Sequence, residues 1–303
     1  MLYDAIVVGG GPAGLAAAIY LARQKVSFAL IAPTVGGQTL WSSDVENYLG
    51  FHLLDGSTLV AKFREHLQDY ADAFDLKEGE TVGKIERQQT GFLVKTDKGS
   101  YEAKTILVAT GEKHRELGVP GEKAFYGRGV TYCATCDAPL FRGKDVAVVG
   151  GGNSAMDAAL FLEKYAKSII ILTVNETIAG DAVMMKKVLA SPKVRVIGKA
   201  KAVRVFGDSF VTGLAYEHNG KAETADVEGL FVEIGLVPVS DFIDFVDKDK
   251  IGQIIVNVHN ETSVPGIFAA GDVTNVTEKQ IAVAVGEGSK AALSLIKRLQ
   301  RQV

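Results

Sequence analysis

The stretch "DAIVVGGGPAGLAAA", from Asp4 to Ala18, decides the fold. A β-branched run leads into G-x-G-x-x-G at Gly9, Gly11 and Gly14, and an Ala-rich segment with helical composition follows. In a dinucleotide-binding turn the first Gly permits the tight bend. The second lets the backbone approach a pyrophosphate, and the third position stays small so that helix and strand pack closely. Pro12 and Ala13 open the helix, whose free N–H groups and partial positive charge suit a phosphate. The pattern returns as "DVAVVGGGNSAMDAA" from Asp145, an offset of 145 − 4 = 141. Gly150, Gly152 and Ala155 match Gly9, Gly11 and Gly14, with Asn153 and Ser154 between. A single such motif is weak evidence, but two in the same strand–turn–helix setting predict an α/β chain with two dinucleotide-binding units.

The remaining composition agrees. A chain of 303 residues allows about two domains. It is 47% hydrophobic and 23% charged, as expected of a globular chain with sizeable cores. The net charge of −3 supplies no global basic field, which argues against nucleic acid or a membrane surface as partner. Residues Ala5 to Ala22 carry no charge, but a strand, turn and helix explain that run better than a membrane span, given its central glycines. No basic region precedes the apolar run, so a signal peptide is not expected and a cytoplasmic location is.

The two cysteines, Cys133 and Cys136, both lie in "TYCATCDAP" (131–139). They are too few for a disulfide scaffold or a four-ligand zinc site, and the five histidines show no ligand spacing, so no metal is expected. A redox pair is the sharp reading, and two buried small residues the bland one. Two further runs, "TILVATG" (105–111) and "GIFAAGDV" (266–273), read as buried parallel strands whose small-residue ends face a ligand. They contribute Ala109, Thr110, Gly111, Gly271 and Asp272. Asp272 suits a ribityl hydroxyl, with a turn or cap role as the alternative.

Taken jointly, these segments resemble the low-molecular-weight thioredoxin reductases and the reductase part of the alkyl hydroperoxide reductase flavoprotein. The match runs nearly end to end through "GGGPAG" (9–14), "GGQ" (36–38), "DVENY" (44–48), "ATG" (109–111), "CATCD" (133–137), "GGGNSA" (150–155), "EIGLVP" (233–238), "AAGDV" (269–273) and "KQIAVAVGEG" (279–288). The resemblance implies two Rossmann-like domains of three-layer ββα type, the second inserted into the first. A discontinuous FAD-binding domain would comprise 1–113 and 240–303, and an NAD(P)H-like domain with the redox pair 114–239. FAD would be held by Gly9, Gly11, Pro12, Ala13, Gly14, Gly36, Gly37, Gln38, Asn47, Ala109, Thr110, Gly111, Gly271, Asp272, Lys279, Gln280 and Ile281. The chain opens on its first strand, so the additional thioredoxin-like domains of the hydroperoxide reductase flavoprotein are expected to be absent.

By the same resemblance the chain forms a homodimer whose domains rotate between two arrangements. "GEKHRELGVPGE" (111–122) and "GLVPVSD" (235–241) would be the hinge strands. Cys136 is the flavin-proximal sulfur, Cys133 attacks the partner's disulfide, and Asp137 is the acid/base. A helix starting after "CATC" would stabilise the thiolate, and Asp137 as a simple helix cap is the alternative.

One segment departs from the family pattern. The strands "FALIAP" and "IIILTVN" end at Ala32 and Thr173, again 141 apart, and neither position is acidic where a ribose-gripping carboxylate is usual. Where NADPH-dependent relatives carry H-R-R-x-x-x-R, this chain has "TVNETIA" (173–179), which has no positive charge and includes Glu176. Losing two or three charge-assisted hydrogen bonds at ~1.5–3 kcal/mol each weakens NADPH binding by orders of magnitude. A nucleotide site at Gly150, Gly152, Asn153, Ser154, Ala155 and Thr173 is therefore expected to take NADH or nothing, with a ferredoxin-type donor as the other route. Trp41 is read as a flavin neighbour, a residue lining the partner surface or an ordinary half-buried anchor, and Lys186 and Lys187 as a solvated face or a ferredoxin-docking site.

The expected function is transfer of electrons from FAD to the Cys133–Cys136 pair and on to thioredoxin or a similar CxxC protein. The alternatives are the reductase component of a peroxide-reducing system and a non-enzymatic flavoprotein redox sensor. A ferredoxin–NADP reductase of similar fold is disfavoured because it has no CxxC at this place.

Overall fold

The computed structural model describes residues 2–301 apart from 43 and 44, and the side chains of Trp41 and Cys136 are also outside the description. The chain divides into two compact units. One joins the segment up to Lys113 to the segment from Val237 onward; the other is His114–Leu236.

The first unit opens with strand β1 (Leu2–Val8), helix α1 (Pro12–Arg23) and strand β2 (Phe28–Ala32). Helix α2 (Gly56–Gln68) follows, with Asp55 as N-cap accepting from Thr58 N. Strands β3 (Asp75–Glu78), β4 (Val82–Arg87), β5 (Phe92–Thr96), β6 (Ser100–Val108) and β7 (Glu112–His114) complete this part.

The second unit contains β8 (Val130–Thr131), helix α3 (Ala134–Asp137), β9 (Asp145–Val149), α4 (Asn153–Leu162), β10 (Ser168–Leu172), α5 (Ala182–Ala190) and β11 (Val194–Ile197). It ends with β12 (Ala200–Gly207), β13 (Val211–His218), β14 (Lys221–Asp226), β15 (Gly229–Val232) and β16 (Leu236–Pro238). Its parallel sheet has the order β11-β10-β9-β15-β8, and β12-β13-β14 form a separate antiparallel sheet. Successive residues of a strand point to opposite faces, and here both faces are covered. Val146 and Val148 pack with Ala155, Ala159 and Leu162 of α4. Ala147 and Val149 pack with Val205, Val211 and Leu214 of the antiparallel sheet.

The chain then returns to the first unit with β17 (Ile267–Ala269) and α6 (Ile281–Gln300). Here the parallel order is β3-β2-β1-β6. The N-terminal half of β6 pairs antiparallel with β5 and its C-terminal half parallel with β17. The same layering applies. Ala5 and Val7 face α1 and α6, whereas Ile6 and Val8 face Ile85, Phe92 and Val94 of the antiparallel strands. This two-sided burial is why β1 and β9 read as unbroken apolar runs. Each fully buried large side chain, such as Phe28 at 1% exposure, adds about 1.5–3 kcal/mol. The helices α1 and α6 meet through small residues, and a Cβ on Gly288 would fall on the Ala13 carbonyl oxygen.

The chain passes between the units within β7 and β16, which pair with each other. The Ala5–Ala22 run is the strand, turn and helix that its glycines predicted. Among the described residues no helix is long and apolar enough to cross a membrane.

Candidate functional site

In the first unit the predicted residues form a chain of contacts around the N-terminus of α1. Gly9 has φ +112, and a Cβ there would land on the carbonyl oxygen of Ala109. A Cβ on Gly14 would land on the carbonyl of Gly9, so helix and turn sit as close as the motif demands. Gly11 is the N-cap of α1 with no side-chain capping bond, Pro12 stands in the first helical turn, and a Cβ on Gly11 would meet nothing within 4 Å. The space ahead of the helix is open.

Other segments close on this space. Gly36 N donates to Gly10 O at 2.7 Å, and a Cβ on Gly37 would lie 3.0 Å from Gly11 Cα. Gln38 Nε2 donates to Glu112 O at 2.9 Å beside Gly111, and Thr110 Oγ1 donates to Val239 O at 2.6 Å. Gly271 packs against Ala13. Lys279 Nζ donates to Asp272 O and Thr274 O at 2.8 and 2.7 Å. Asn47 Nδ2 donates to Gln280 Oε1 at 2.9 Å, and Ile281 begins α6. Asp272 lies in a turn well before α6 and does not cap it, since the N-cap is Gln280. Burial raises the Asp272 carboxyl above its ordinary range against the opposing charge of Lys279. The ring contact expected of Trp41 lies outside the described residues.

The second unit repeats the turn. Gly150 has φ +152, and a Cβ there would land on the Glu233 carbonyl oxygen, while Gly152 again faces open space ahead of an uncapped helix. Ala155 is buried beneath the turn and Ser154 is exposed. Asn153 is committed locally, since its Oδ1 accepts from Asp181 N at 2.8 Å. Strand β10 ends at Leu172, and Thr173 is 2% exposed. The Thr173 hydroxyl accepts from Asn175 N at 3.2 Å and packs against Gly151 rather than facing outward. Lys199 forms an ion pair with Glu176, so this region holds a positive charge that the segment 173–179 lacks. Burial, reinforced by the charge of Asp157, pushes the Glu233 carboxyl up to about 8. Lys186 and Lys187 lie on α5, with Lys187 in its last turn.

At the redox motif Cys133 is disulfide-bonded. The Cys136 side chain lies outside the described residues, so its expected flavin-proximal role has no geometry here. The helix expected after "CATC" instead starts inside it. It is the single turn α3, followed by a 3₁₀ segment, Ala138–Phe141. Pro139 explains the stop after one turn, because it disfavours α geometry at the preceding residue and has no N–H to donate. Little helix-dipole stabilisation of a thiolate is then available from one turn.

Asp137 makes no side-chain capping bond to the 3₁₀ segment. Its Oδ2 accepts from the hydroxyl of Thr131, which is 5% exposed, and the same hydroxyl oxygen accepts from Cys133 N at 3.1 Å. Thr135 Oγ1 lies 3.4 Å from Cys133 Sγ. Sequence reading missed Thr131 and Glu122. Glu122 is 1% exposed and accepts from Leu117 N, Gly118 N and the Tyr132 hydroxyl, each at 2.7 Å. No periodicity or motif signals either residue, because both act through contacts made by the folded chain.

Comparison with known proteins agrees with this architecture. The family model described as pyridine nucleotide-disulphide oxidoreductase matches residues 3–288. The F component of the alkyl hydroperoxide reductase of Pseudomonas aeruginosa is 42% identical over 307 residues, covering 99% of this chain and 58% of that protein. The chain thus spans under two thirds of the length of the curated relatives that it matches. The thioredoxin reductase of Lactococcus lactis superposes with a TM-score of 0.85 at 32% identity, with 99% of both chains covered. That of T. acidophilum gives 0.82 at 38% identity over 98% of both. With its paired dinucleotide turns, its CxxC motif and this extent of similarity, the chain belongs to the pyridine nucleotide-disulphide oxidoreductase family.

Proposed function

We propose that the chain is a FAD-dependent disulfide oxidoreductase of thioredoxin reductase type, delivering electrons through Cys133 and Cys136 to thioredoxin or a similar CxxC protein. The observation that carries the reading is the disulfide at Cys133 with the Asp137 carboxylate turned back toward the motif through Thr131. The family supports a flavin, and the open, uncapped space ahead of Gly11, ringed by Gly37, Ala13 and Gly271, suits the pyrophosphate of FAD. Gln38, Asn47, Asp272, Lys279 and Gln280 would supply its remaining polar contacts. When bound, FAD supplies the two-electron carrier. The homodimer and the cytoplasmic location belong to the same proposal.

The chain's own residues account for the exchange chemistry. In the reduced state the Cys133 thiolate attacks one sulfur of the partner's disulfide, whose S–S bond breaks and whose other sulfur leaves as a thiolate. Cys136 then attacks the mixed disulfide, closes the Cys133–Cys136 bond and releases the second partner thiolate. Two electrons pass to the partner, and its two sulfurs gain two protons, one given up by Cys136 as it attacks and one from solvent. Asp137 gives or receives a proton at each thiolate departure.

NADPH is disfavoured as donor. Among the described ion pairs, the cation that meets the segment 173–179 is Lys199, and Glu176 already neutralises it. NADH or a ferredoxin-type protein remains. A second reading, the reductase component of a peroxide-reducing system, is favoured by the 42% identity to an alkyl hydroperoxide reductase component. Anaerobic bleaching of the flavin absorption by NADPH, NADH and reduced ferredoxin, each followed by added thioredoxin, tests the proposal. Bleaching by NADH or ferredoxin with thiol release from thioredoxin is expected. Rapid bleaching by NADPH, or a bleached flavin that leaves every CxxC protein oxidised, sinks it.

A further inference from the structure

We propose that Glu78 stands in for the acid missing from the end of β2 and accepts a hydrogen bond from a ribose hydroxyl at the adenosine end of FAD. This rests on the reading of the first unit as the FAD site.

In a dinucleotide-binding unit the strand after the glycine-rich turn and its helix usually ends on a carboxylate that grips the adenosine ribose. Here that place holds Ala32, whose methyl group accepts nothing. Strand β3 runs beside β2 in parallel, and its last residue, Glu78, pairs with Ala32. Glu78 is therefore level with Ala32 at the carboxyl end of the sheet, where open α/β sheets bind their ligands. A Cβ on Gly10 would lie 2.9 Å from Ala32 Cβ, so Ala32 faces the turn. Side chains paired across neighbouring strands project to one face, and Glu78 leaves the sheet on that same side.

The carboxylate is held there. Glu78 Oε1 accepts from Val35 N at 3.0 Å. Arg64 of α2 forks onto both oxygens, Nη1 to Oε2 at 3.2 Å and Nη2 to Oε1, and Nη2 also donates to Val35 O at 3.2 Å. The loop that carries Val35 lies on the turn itself. Gly36 N donates to Gly10 O at 2.7 Å, and a Cβ on Gly10 would lie 2.9 Å from Thr34 O and 3.2 Å from Val35 Cα. Arg64 and the Val35 N–H hold the Glu78 carboxyl below its ordinary range, so it is an ionised acceptor at neutral pH. A carboxylate offers about four acceptor sites. Val35 N and the two Arg64 nitrogens leave one of them on Oε2, and the side chain is 35% exposed rather than sealed by protein.

The neighbouring acids are committed elsewhere. Asp75, at the other end of β3, accepts from the Tyr3 hydroxyl. Glu80 is 4% exposed and accepts from the Thr96 and Tyr101 hydroxyls. The second unit has no counterpart of Glu78. There the pairing of β10 with β11 ends at Leu172↔Ile197, and the residue that follows, beside Thr173, is Gly198.

The full chain freed of flavin is titrated calorimetrically with FAD and with two analogues, one lacking the 2′-hydroxyl of the adenosine ribose and one lacking the 3′-hydroxyl. With the wild-type chain at least one analogue should bind roughly tenfold more weakly than FAD, the loss of one charge-assisted hydrogen bond. Glu78→Ala should weaken FAD and bring it to within about twofold of that analogue, and any loosening of the loop cancels in this ratio because it affects both ligands alike. Analogues that bind the wild-type chain as tightly as FAD, or a tenfold gap that persists in Glu78→Ala, would overturn the inference while leaving FAD in its site. Failure of FAD to bind the wild-type chain would overturn the FAD reading instead. If Glu78→Ala does not fold, Glu78→Gln is read in its place, since it keeps the side-chain volume and removes the charge; its gap should shrink in the same direction, and an undiminished gap counts against Glu78.

Discussion

Tyr132 donates its hydroxyl to Glu122 Oε1 at 2.7 Å, fastening the residue just before Cys133 to a carboxylate that is 1% exposed. That carboxylate also receives Leu117 N and Gly118 N. Removing one donor from it, as in Tyr132→Phe, is expected to cost about 1–2 kcal/mol. Glu122→Ala strands three donors and should cost roughly 3 kcal/mol or more. Urea unfolding of both variants checks the order, and equal stability of Glu122→Ala and wild type would remove the anchor from the account.

The two glycines of the first turn should behave differently. Gly11→Ala adds a methyl group where no neighbour lies within 4 Å, so the fold should survive with circular dichroism unchanged. FAD affinity should drop roughly tenfold or more, because that space is the one proposed for the pyrophosphate. Gly9→Ala forces a Cβ onto the Ala109 carbonyl at φ +112 and should lower stability as well as flavin content. Flavin titration of the apoprotein separates the two, and full affinity in Gly11→Ala would move the cofactor elsewhere.

Glu233 should make stability depend on pH. Burial raises its carboxyl to about 8, so the folded state binds a proton that the unfolded chain releases near the ordinary value of 4.5. The stabilisation linked to that proton is complete below the unfolded value and is lost as pH rises through about 8. Glu233→Gln lacks this loss. Its stability relative to wild type should therefore rise between about pH 5 and 8, by up to about 4 kcal/mol. Thermal melts at several pH values read the gap, and a constant gap would place the carboxyl in ordinary solvent.

Freeing Lys199 should improve NADPH more than NADH. The Glu176 and Lys199 side chains are 81% and 54% exposed, so their attraction is modest, about 0–1 kcal/mol. Glu176→Ala leaves an unpaired cation and removes the repelling carboxylate, for an expected gain of up to about fivefold in the NADPH-to-NADH affinity ratio. Competition binding with both nucleotides measures this, and an unchanged ratio would mean that neither group meets the adenosine end.

Much of the fold was legible in the chain itself. The 141-residue repeat announced two equivalent turns, since a strand that must bend sharply, approach a phosphate and pack a helix admits few residues at Gly9, Gly11 and Gly14. The apolar runs 105–111 and 266–273 announced buried parallel strands, and β6 and β17 pair in parallel there. The helix expected after "CATC" starts three residues earlier, inside the motif, and Pro139 ends it after one turn, with 3₁₀ geometry following.

The site was legible only in part, and the division has a physical origin. Properties that depend on a residue's own backbone or on its near neighbours in sequence are written locally: the glycine turns, the CxxC spacing, and the missing arginines of 173–179. Properties that depend on which side chains meet are not. Thr131 reaches Asp137 six positions on, Glu122 reaches Tyr132 ten positions on, and Lys199 comes from the turn before β12 to neutralise Glu176. Hydrogen bonds and ion pairs of this kind obey distance in space, which is set only once the chain has folded.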